Sequence, residues 1–195
     1  MAQPPRVMRL FLAINLPASV IAAIDHDVSA LRAGAPALRW IPPEKWHLTV
    51  RFIGDTFVER VPVIRDAIDA AVAGHGDVPL AIRGVGAFPN FRRARVVWIG
   101  VAPDPRLEML HHDIESACVA LGMEHEGRAF RPHITLARVP PGTDEPTLRT
   151  LSREARTVRY SEAIDVSTVD LMSSELSPEG PRYRLLHSSP LGAAA

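Results

Sequence analysis

Among 195 residues the sequence has one cysteine, Cys118, and one lysine, Lys45. A single cysteine cannot form a disulfide within the chain, and no Cys-x-x-Cys pair or Cys/His zinc spacing occurs. Acidic and basic residues are equal at 22 each, which argues against a protein that coats long nucleic acids through bulk electrostatics. No apolar run approaches the roughly 20 residues of a membrane-spanning helix. We therefore expect a soluble, cytoplasmic protein without a disulfide or a membrane partner.

Apolar residues make up 47% of the chain, enough to build an interior, and the length suits one domain or two small lobes that share a core. Segments with two different spacings of apolar residues alternate along the sequence. A period of two predicts strands over residues 9–16, 46–53, 80–88, 95–101, 130–139, 164–173 and 182–186. A period near 3.6 predicts helices over 18–32, 58–73, 105–121 and 145–155.

The order strand, helix, strand, helix occurs in the first half and is loosely echoed in the second half. Some strands follow each other without a helix, which favours an α+β fold with antiparallel sheets over a strictly parallel one. We expect residues 1–195 to form a single domain of two intertwined, pseudo-symmetric lobes. An internal duplication would explain this arrangement, and it is a hypothesis because the halves share little other sequence.

Two short motifs carry most of the functional information: His-Leu-Thr-Val at residues 47–50 and His-Ile-Thr-Leu at 133–136. Both fall in predicted strands, where side chains alternate between faces, so His and Thr of each motif point the same way. If the two strands are neighbours, two imidazoles and two hydroxyls face one cleft. Such a set can transfer protons at an oxyanion such as a phosphate and donate hydrogen bonds to it.

The same alternation adds three candidate binding residues. Arg51 lies two positions after Thr49, and Arg131 two before His133, so we expect both guanidinium groups on the cleft face, where they could neutralise a phosphate. Phe11 lies on the face of the first strand that is predicted to point away from the core, where its ring could stack on a base. For Arg51 and Arg131 an ion pair is an equal alternative, and for Phe11 core packing is the favoured one. By the same rule Arg138 points away from the cleft.

At these residues the chain resembles the 2H phosphoesterase superfamily, and within it the RNA 2′,3′-cyclic phosphodiesterases, also known as 2′-5′ RNA ligases or LigT-like proteins. The resemblance extends from Arg9 to Leu191. The phrases that carry it are RLFLAINLP, RWIPPEKWHLTVRFIGD, ARVVWIGV, FRPHITLARV and GPRYRLLHSSPL. It implies a bilobal fold of two antiparallel sheets that line a central cleft, with helices packed on the outer faces, in which each lobe contributes one HxTx motif.

The resemblance also implies an activity. An RNA 2′,3′-cyclic phosphate is opened to a 2′-phosphomonoester without a metal or cofactor, with His47 as the general acid and His133 as the general base. Thr49 and Thr135 would donate hydrogen bonds to the non-bridging phosphate oxygens. Reversible, ATP-independent 2′-5′ joining of tRNA halves is a further implied activity. The expected partner is an RNA end such as a tRNA fragment, with no protein partner and a monomeric enzyme.

Other functions remain open at this point. A related enzyme would act on small cyclic nucleotides such as ADP-ribose 1″,2″-cyclic phosphate, for which a closed pocket would be expected. A non-catalytic RNA-binding module would bind RNA without turnover. A zinc hydrolase is disfavoured because no carboxylates stand at ligand spacing near the motifs.

Overall fold

The computed structural model describes residues 6–177 and 180–192 of the chain. This described part contains nine strands and five α-helices. The strands are β1 (Val7–Asn15), β2 (Arg39–Trp40), β3 (His47–Phe57), β4 (Val78–Phe88), β5 (Val96–Val101), β6 (His133–Arg138), β7 (Ser161–Val166), β8 (Thr168–Ser177) and β9 (Gly180–Pro190). The helices are α1 (Ala18–Asp27), α2 (Ser29–Gly34), α3 (Val61–Val72), α4 (Pro105–Ala120) and α5 (Glu145–Ala155).

All strand pairs are antiparallel, in the order β7-β4-β5-β6-β3-β1-β8-β9, and β2 also pairs with β6. The α+β class is therefore confirmed. The two expected sheets are halves of one nine-stranded sheet, because β3 and β6 are joined through the pair of Leu48 with Ile134. Each half has one motif strand at this junction. The junction thus places the two HxT motifs side by side.

The core lies between the helices and one face of the sheet. Alternate strand residues such as Leu12, Leu48 and Ile99 are buried there against helix residues such as Ile64 and Leu110. Each fully buried side chain of this size contributes about 1.5–3 kcal/mol. On the other face of β1, a small separate cluster forms around Phe11, Ala13 and Met172. The helices therefore cover one face and leave the other open for a cleft. No helix in residues 6–177 and 180–192 is long and apolar enough to cross a membrane.

Two predicted elements are divided in the structure. The predicted helix 18–32 is broken at Val28, which ends α1 with φ −89° and ψ 3° before α2 begins. The predicted strand 164–173 is wrong as a single unit, since its residues fall on β7 and β8. These strands lie in different halves of the sheet, β7 at the edge beside β4 and β8 between β1 and β9. The sequence also predicts a turn at 177–181 before the last strand, and two of its residues lie outside the described part.

Both motif strands contain a β-bulge at the same place. Along β1 the pairing steps from Arg51 to Thr49, which leaves Val50 as an extra residue. Along β5 it steps from Ala137 to Thr135, which leaves Leu136 extra in the same way. In each strand the extra residue is the third after the motif histidine. Since an extra residue inverts the later alternation of side chains, the bulges decide which later residues reach the cleft.

Gly86 gives room to a tryptophan beside the second motif. It pairs with Trp98 across β4 and β5, and a Cβ atom at Gly86 would lie 2.2 Å from Cη2 of that indole ring. The ring of Trp98 lies 6.3 Å from that of His133 and 5.0 Å from that of Phe88. A side chain at position 86 therefore cannot coexist with this indole position.

We predict that Gly86→Ala lowers the free energy of unfolding by about 1–3 kcal/mol, the usual cost of overpacking a well-packed region. Urea denaturation measures this change. Gly74→Ala is the matched control, because a Cβ atom there meets nothing within 4 Å. Equal stability of the two variants would contradict the account of Gly86.

Candidate active site

The pairing of β3 with β6 determines which motif side chains oppose each other. One residue to either side of the joining pair, an antiparallel register sets His47 across from Thr135 and Thr49 across from His133. Side chains directly opposite in such a pair have Cβ atoms about 4.5–5.5 Å apart. All four are half-buried. The four side chains thus form a square whose diagonal corners are the two histidines.

Both histidine rings are held by the same kind of hydrogen bond. Nδ1 of His47 donates to the backbone carbonyl of Lys45 at 2.8 Å, and Nδ1 of His133 donates to that of Arg131 at 2.6 Å. A carbonyl can only accept, so the hydrogen on Nδ1 is assigned by its partner. This leaves Nε2 of each ring to accept a proton when the ring is neutral and to donate one when it is protonated.

Aromatic side chains surround His47. The ring centroids of Phe11 and Tyr183 lie 5.1 Å and 5.3 Å from its own. Burial lowers the pKa of His47 below its usual value of 6.5, and the hydrogen bond to the Lys45 carbonyl, which favours the charged ring, offsets part of this effect. Burial also raises the pKa of the Tyr183 hydroxyl. Burial therefore disfavours the protonated form of His47 in the ligand-free protein.

His47, Thr49 and Thr135 line a cleft of about 760 Å³, and His133 lies beside it, opposite Thr49. Among the described residues, the one carboxylate that lines this cleft is Asp55, and it is ion-paired with Arg9 at 3.0 Å. The polar groups that line the cleft are therefore mainly an imidazole, hydroxyls and cations.

The predicted position of Arg51 is wrong. The bulge at Val50 turns its side chain to the helix face, where it is 5% exposed. There its Nε lies 2.5 Å from Oε2 of Glu115 and its Nη1 3.6 Å from Oε2 of Glu126. Arg51 is thus part of a buried ion pair between β3 and α4, and it cannot reach a phosphate in the cleft.

The bulges bring two other residues into the cleft, Phe52 and Arg138, each the fifth residue after its motif histidine. The prediction that Arg138 points away from the cleft is wrong for the same reason as that for Arg51. Because β3 and β6 run in opposite directions, Phe52 and Arg138 lie toward opposite ends of the cleft. In the second motif, the consecutive apolar residues Leu136 and Ala137 break the alternation of the strand and so indicate a bulge. In the first motif, the charged Arg51 follows the apolar Val50, so the alternation looks regular and the sequence gives no sign of the bulge.

Of the other two predicted binding residues, Arg131 is absent from the described cleft lining and Phe11 belongs to it. Arg131 lies just before β6 with an exposed side chain, and it contributes its carbonyl to His133 rather than a guanidinium to the described cleft lining. Phe11 does lie on the cleft face, as predicted, but only 3% of it is exposed. Its ring packs against His47, and among the rings that line the described cleft Phe52 is the most exposed, at 62%.

A second group of titratable side chains lies on the helix face, away from the cleft. His111, Glu115 and Glu126 bring possible metal-ligand atoms within 4.8 Å of one another. Arg51 already supplies positive charge to both carboxylates. The His111 ring stacks on Phe130 at 4.0 Å, and burial lowers the pKa of His111. This group acts as the counter-charge of Arg51.

Comparison with known proteins gives consistent matches over most of the chain. The family model described as the 2′-5′ RNA ligase superfamily matches residues 19–177. An RNA 2′,3′-cyclic phosphodiesterase of Methanothermobacter thermautotrophicus is 31% identical over 176 residues, which cover 90% of this chain and 95% of that protein. One of Aeropyrum pernix is 32% identical over 160 residues, 82% of this chain and 89% of that protein.

Solved structures match in the same way. The protein TT0787 of Thermus thermophilus superposes with a TM-score of 0.78 and 26% identity, covering 96% of this chain and all of that one. LigT of E. coli complexed with 3′-AMP superposes with a TM-score of 0.74 and 26% identity, covering 95% of this chain and 99% of that one.

We predict that Arg51→Met lowers the free energy of unfolding by about 3–5 kcal/mol, because it leaves the Glu115 carboxylate buried without its counter-charge. Chemical denaturation measures the loss. Arg149→Met is the matched control, since its pair with Glu145 is exposed and such pairs contribute about 0.2–1 kcal/mol. A loss no larger than that of the control would contradict a structural role for Arg51.

We further predict that the pKa of His47, followed by NMR through its Cε1 proton in the ligand-free protein, lies below 6.5. Tyr183→Ala should raise this pKa toward 6.5, because water then reaches the imidazolium and stabilises the charged form. Phe57→Ala removes an exposed ring at the far end of β3 and should leave the titration unchanged. A wild-type pKa above 6.5 would contradict the desolvation of His47.

Proposed function

The chain belongs to the 2′-5′ RNA ligase superfamily, and we propose that it hydrolyses the 2′,3′-cyclic phosphate at an RNA end to a 2′-phosphomonoester. The observation that carries this proposal is the diagonal placement of two histidines, each with Nδ1 held by a carbonyl and Nε2 left for proton transfer. An in-line displacement at phosphorus needs a base on one side and an acid on the other. Diagonal histidines can flank one phosphorus atom in this way.

The proposed reaction begins with a water molecule that gives a proton to Nε2 of His133 as its oxygen attacks phosphorus. The bond from phosphorus to O3′ breaks, and O3′ takes a proton from Nε2 of His47. The assignment of acid and base follows the family resemblance, because the two motif strands are near mirror images. The phosphate anion that binds in the cleft favours the protonated form of His47 and so opposes the effect of burial on its pKa.

The reaction also requires donors that stabilise the negative charge on the phosphate. Thr49 and Thr135 occupy the other two corners of the square, where each hydroxyl can donate to a non-bridging oxygen. Arg138 lines the same cleft and can hold the phosphate through its planar fork of donors. With these donors the proposed reaction needs no metal or cofactor, and the one carboxylate in the described lining, Asp55, is occupied by Arg9.

The exposed ring of Phe52 offers a surface on which the terminal base can stack. Arg138 lines the cleft and is exposed, so this end of the cleft is open to solvent and leaves a path for the strand that precedes an RNA end. We propose that the RNA substrates are tRNA fragments. We further propose that the protein acts on them as a monomer in the cytoplasm. If the 5′-hydroxyl of a second RNA replaced water as the nucleophile, the same displacement of O3′ from phosphorus would join the two ends through a 2′-5′ linkage without ATP.

The test uses a short oligoribonucleotide with a 2′,3′-cyclic phosphate end, incubated with the protein in EDTA. Wild type should release a 2′-phosphate end, and His47→Ala and His133→Ala should each be slower by about 10²–10⁴-fold, since each loses a positioned proton-transfer group. His26→Ala, an exposed histidine of α1, is the matched control and should retain the wild-type rate.

Other outcomes would indicate a different function or a different mechanism. RNA binding without conversion by wild type would indicate a non-catalytic RNA-binding module. Conversion of ADP-ribose 1″,2″-cyclic phosphate but not of the RNA end would indicate an enzyme of small cyclic nucleotides. Loss of activity in EDTA, restored by a divalent ion, would contradict metal independence.

A further inference from the structure

Two arginines oppose each other directly at one end of the cleft. Arg39 of β2 pairs with Arg138 of β6, so both side chains project from the same face of the sheet. Arg138 lines the cleft, and both side chains are exposed. Like charges directly opposite in an antiparallel pair destabilise a sheet. The fold therefore keeps two cations together at a position where pairing alone disfavours them.

Within residues 6–177 and 180–192, no carboxylate lies at ion-pair distance from these cations. Neither Arg39 nor Arg138 forms an ion pair there, and the same holds for Lys45, which lines the cleft just before His47. The cleft's one described carboxylate, Asp55, lies on β3 beyond Phe52, toward the other end. Lys45 and Arg138 thus line the cleft, and Arg39 lies on the strand beside Arg138, in a chain whose net charge is zero.

We propose that Arg39, together with Lys45, forms a second phosphate subsite beside the reacting phosphate. It binds the phosphate that a substrate carries on the 5′ side of its terminal nucleoside. This inference rests on the proposed function, in which Arg138 holds the reacting phosphate. Neighbouring strands lie about 4.7–4.9 Å apart, so Arg39 presents its guanidinium to an oxyanion next to the one that Arg138 holds.

The subsite makes a prediction about substrate class. A nucleoside 2′,3′-cyclic phosphate has one phosphate and leaves Arg39 unused. An RNA end has a phosphodiester at the 5′ oxygen of its last nucleoside, and ADP-ribose 1″,2″-cyclic phosphate has a pyrophosphate at the corresponding place. Both therefore offer an anion to the planar donors of Arg39, and both are favoured over the simple cyclic nucleotide.

The test compares adenosine 2′,3′-cyclic phosphate with the same compound bearing a 5′-phosphate. For wild type we expect kcat/KM to be at least tenfold higher with the 5′-phosphate, through a lower KM, and this preference should shrink as salt screens the charges. Arg39→Gln should reduce the preference to within about twofold, since its neutral amide cannot compensate the charge of a phosphate. Arg106→Gln, on the exposed side of α4, is the control and should keep the preference.

A binding measurement separates failure of the subsite from failure of the proposed function. By calorimetry, wild type should bind adenosine 2′,5′-bisphosphate at least tenfold more tightly than adenosine 2′-phosphate, and Arg39→Gln should lose that difference. Equal affinities in wild type would overturn the subsite whether or not hydrolysis occurs. The affinity difference without hydrolysis of any cyclic phosphate would overturn the proposed function and leave the subsite in place.

Two further substrates distinguish the sources of the second phosphate. A dinucleotide ending in a 2′,3′-cyclic phosphate represents RNA, and ADP-ribose 1″,2″-cyclic phosphate represents the small nucleotide. A higher KM in Arg39→Gln for either substrate supports the subsite and identifies which source it accepts. Unchanged KM values for both would overturn it.

Discussion

The pairing of Leu48 with Ile134 is the contact on which the site depends. It joins the two halves of the sheet through one residue pair, and it sets each motif histidine across from the threonine of the other motif. A slip of one residue in this register would turn the His and Thr of one motif to the face opposite those of the other motif, because strand side chains alternate. The buried residues on the helix side, Leu48 among them, make such a slip costly. The core thus positions the catalytic square without itself touching a substrate.

The two halves repeat one backbone design with different side chains. In each motif strand the third residue after the histidine is the extra residue of a bulge. The fifth residue after each histidine then lies in the cleft. In one half this residue is Phe52 and in the other Arg138. The cleft therefore has a ring toward one end and a cation toward the other, although its centre is nearly symmetric. This difference favours one binding orientation for a substrate that has a base on one side and a charged group on the other.

Much of the fold could be predicted from the sequence, because apolar periods over long segments locate most of the strands and helices. The His and Thr residues of the motifs could be placed on one face for the same reason. The positions of Arg51 and Arg138 could not, since one extra residue in a strand reverses the alternation and leaves little trace in the sequence. The partner of Arg51 is also remote in sequence: Glu115 on α4 stabilises a buried guanidinium that alternation alone assigned to the cleft.

The central claim is that His47 and His133 flank one phosphorus atom from opposite sides. A crystal structure of the protein with a nucleoside and vanadate, which together mimic the five-coordinate phosphorus, tests it most directly. The account predicts Nε2 of each histidine within about 2.6–3.2 Å of an apical oxygen, one on each side of the vanadium. Both histidines on the same side, or either one out of hydrogen-bond reach, would contradict it.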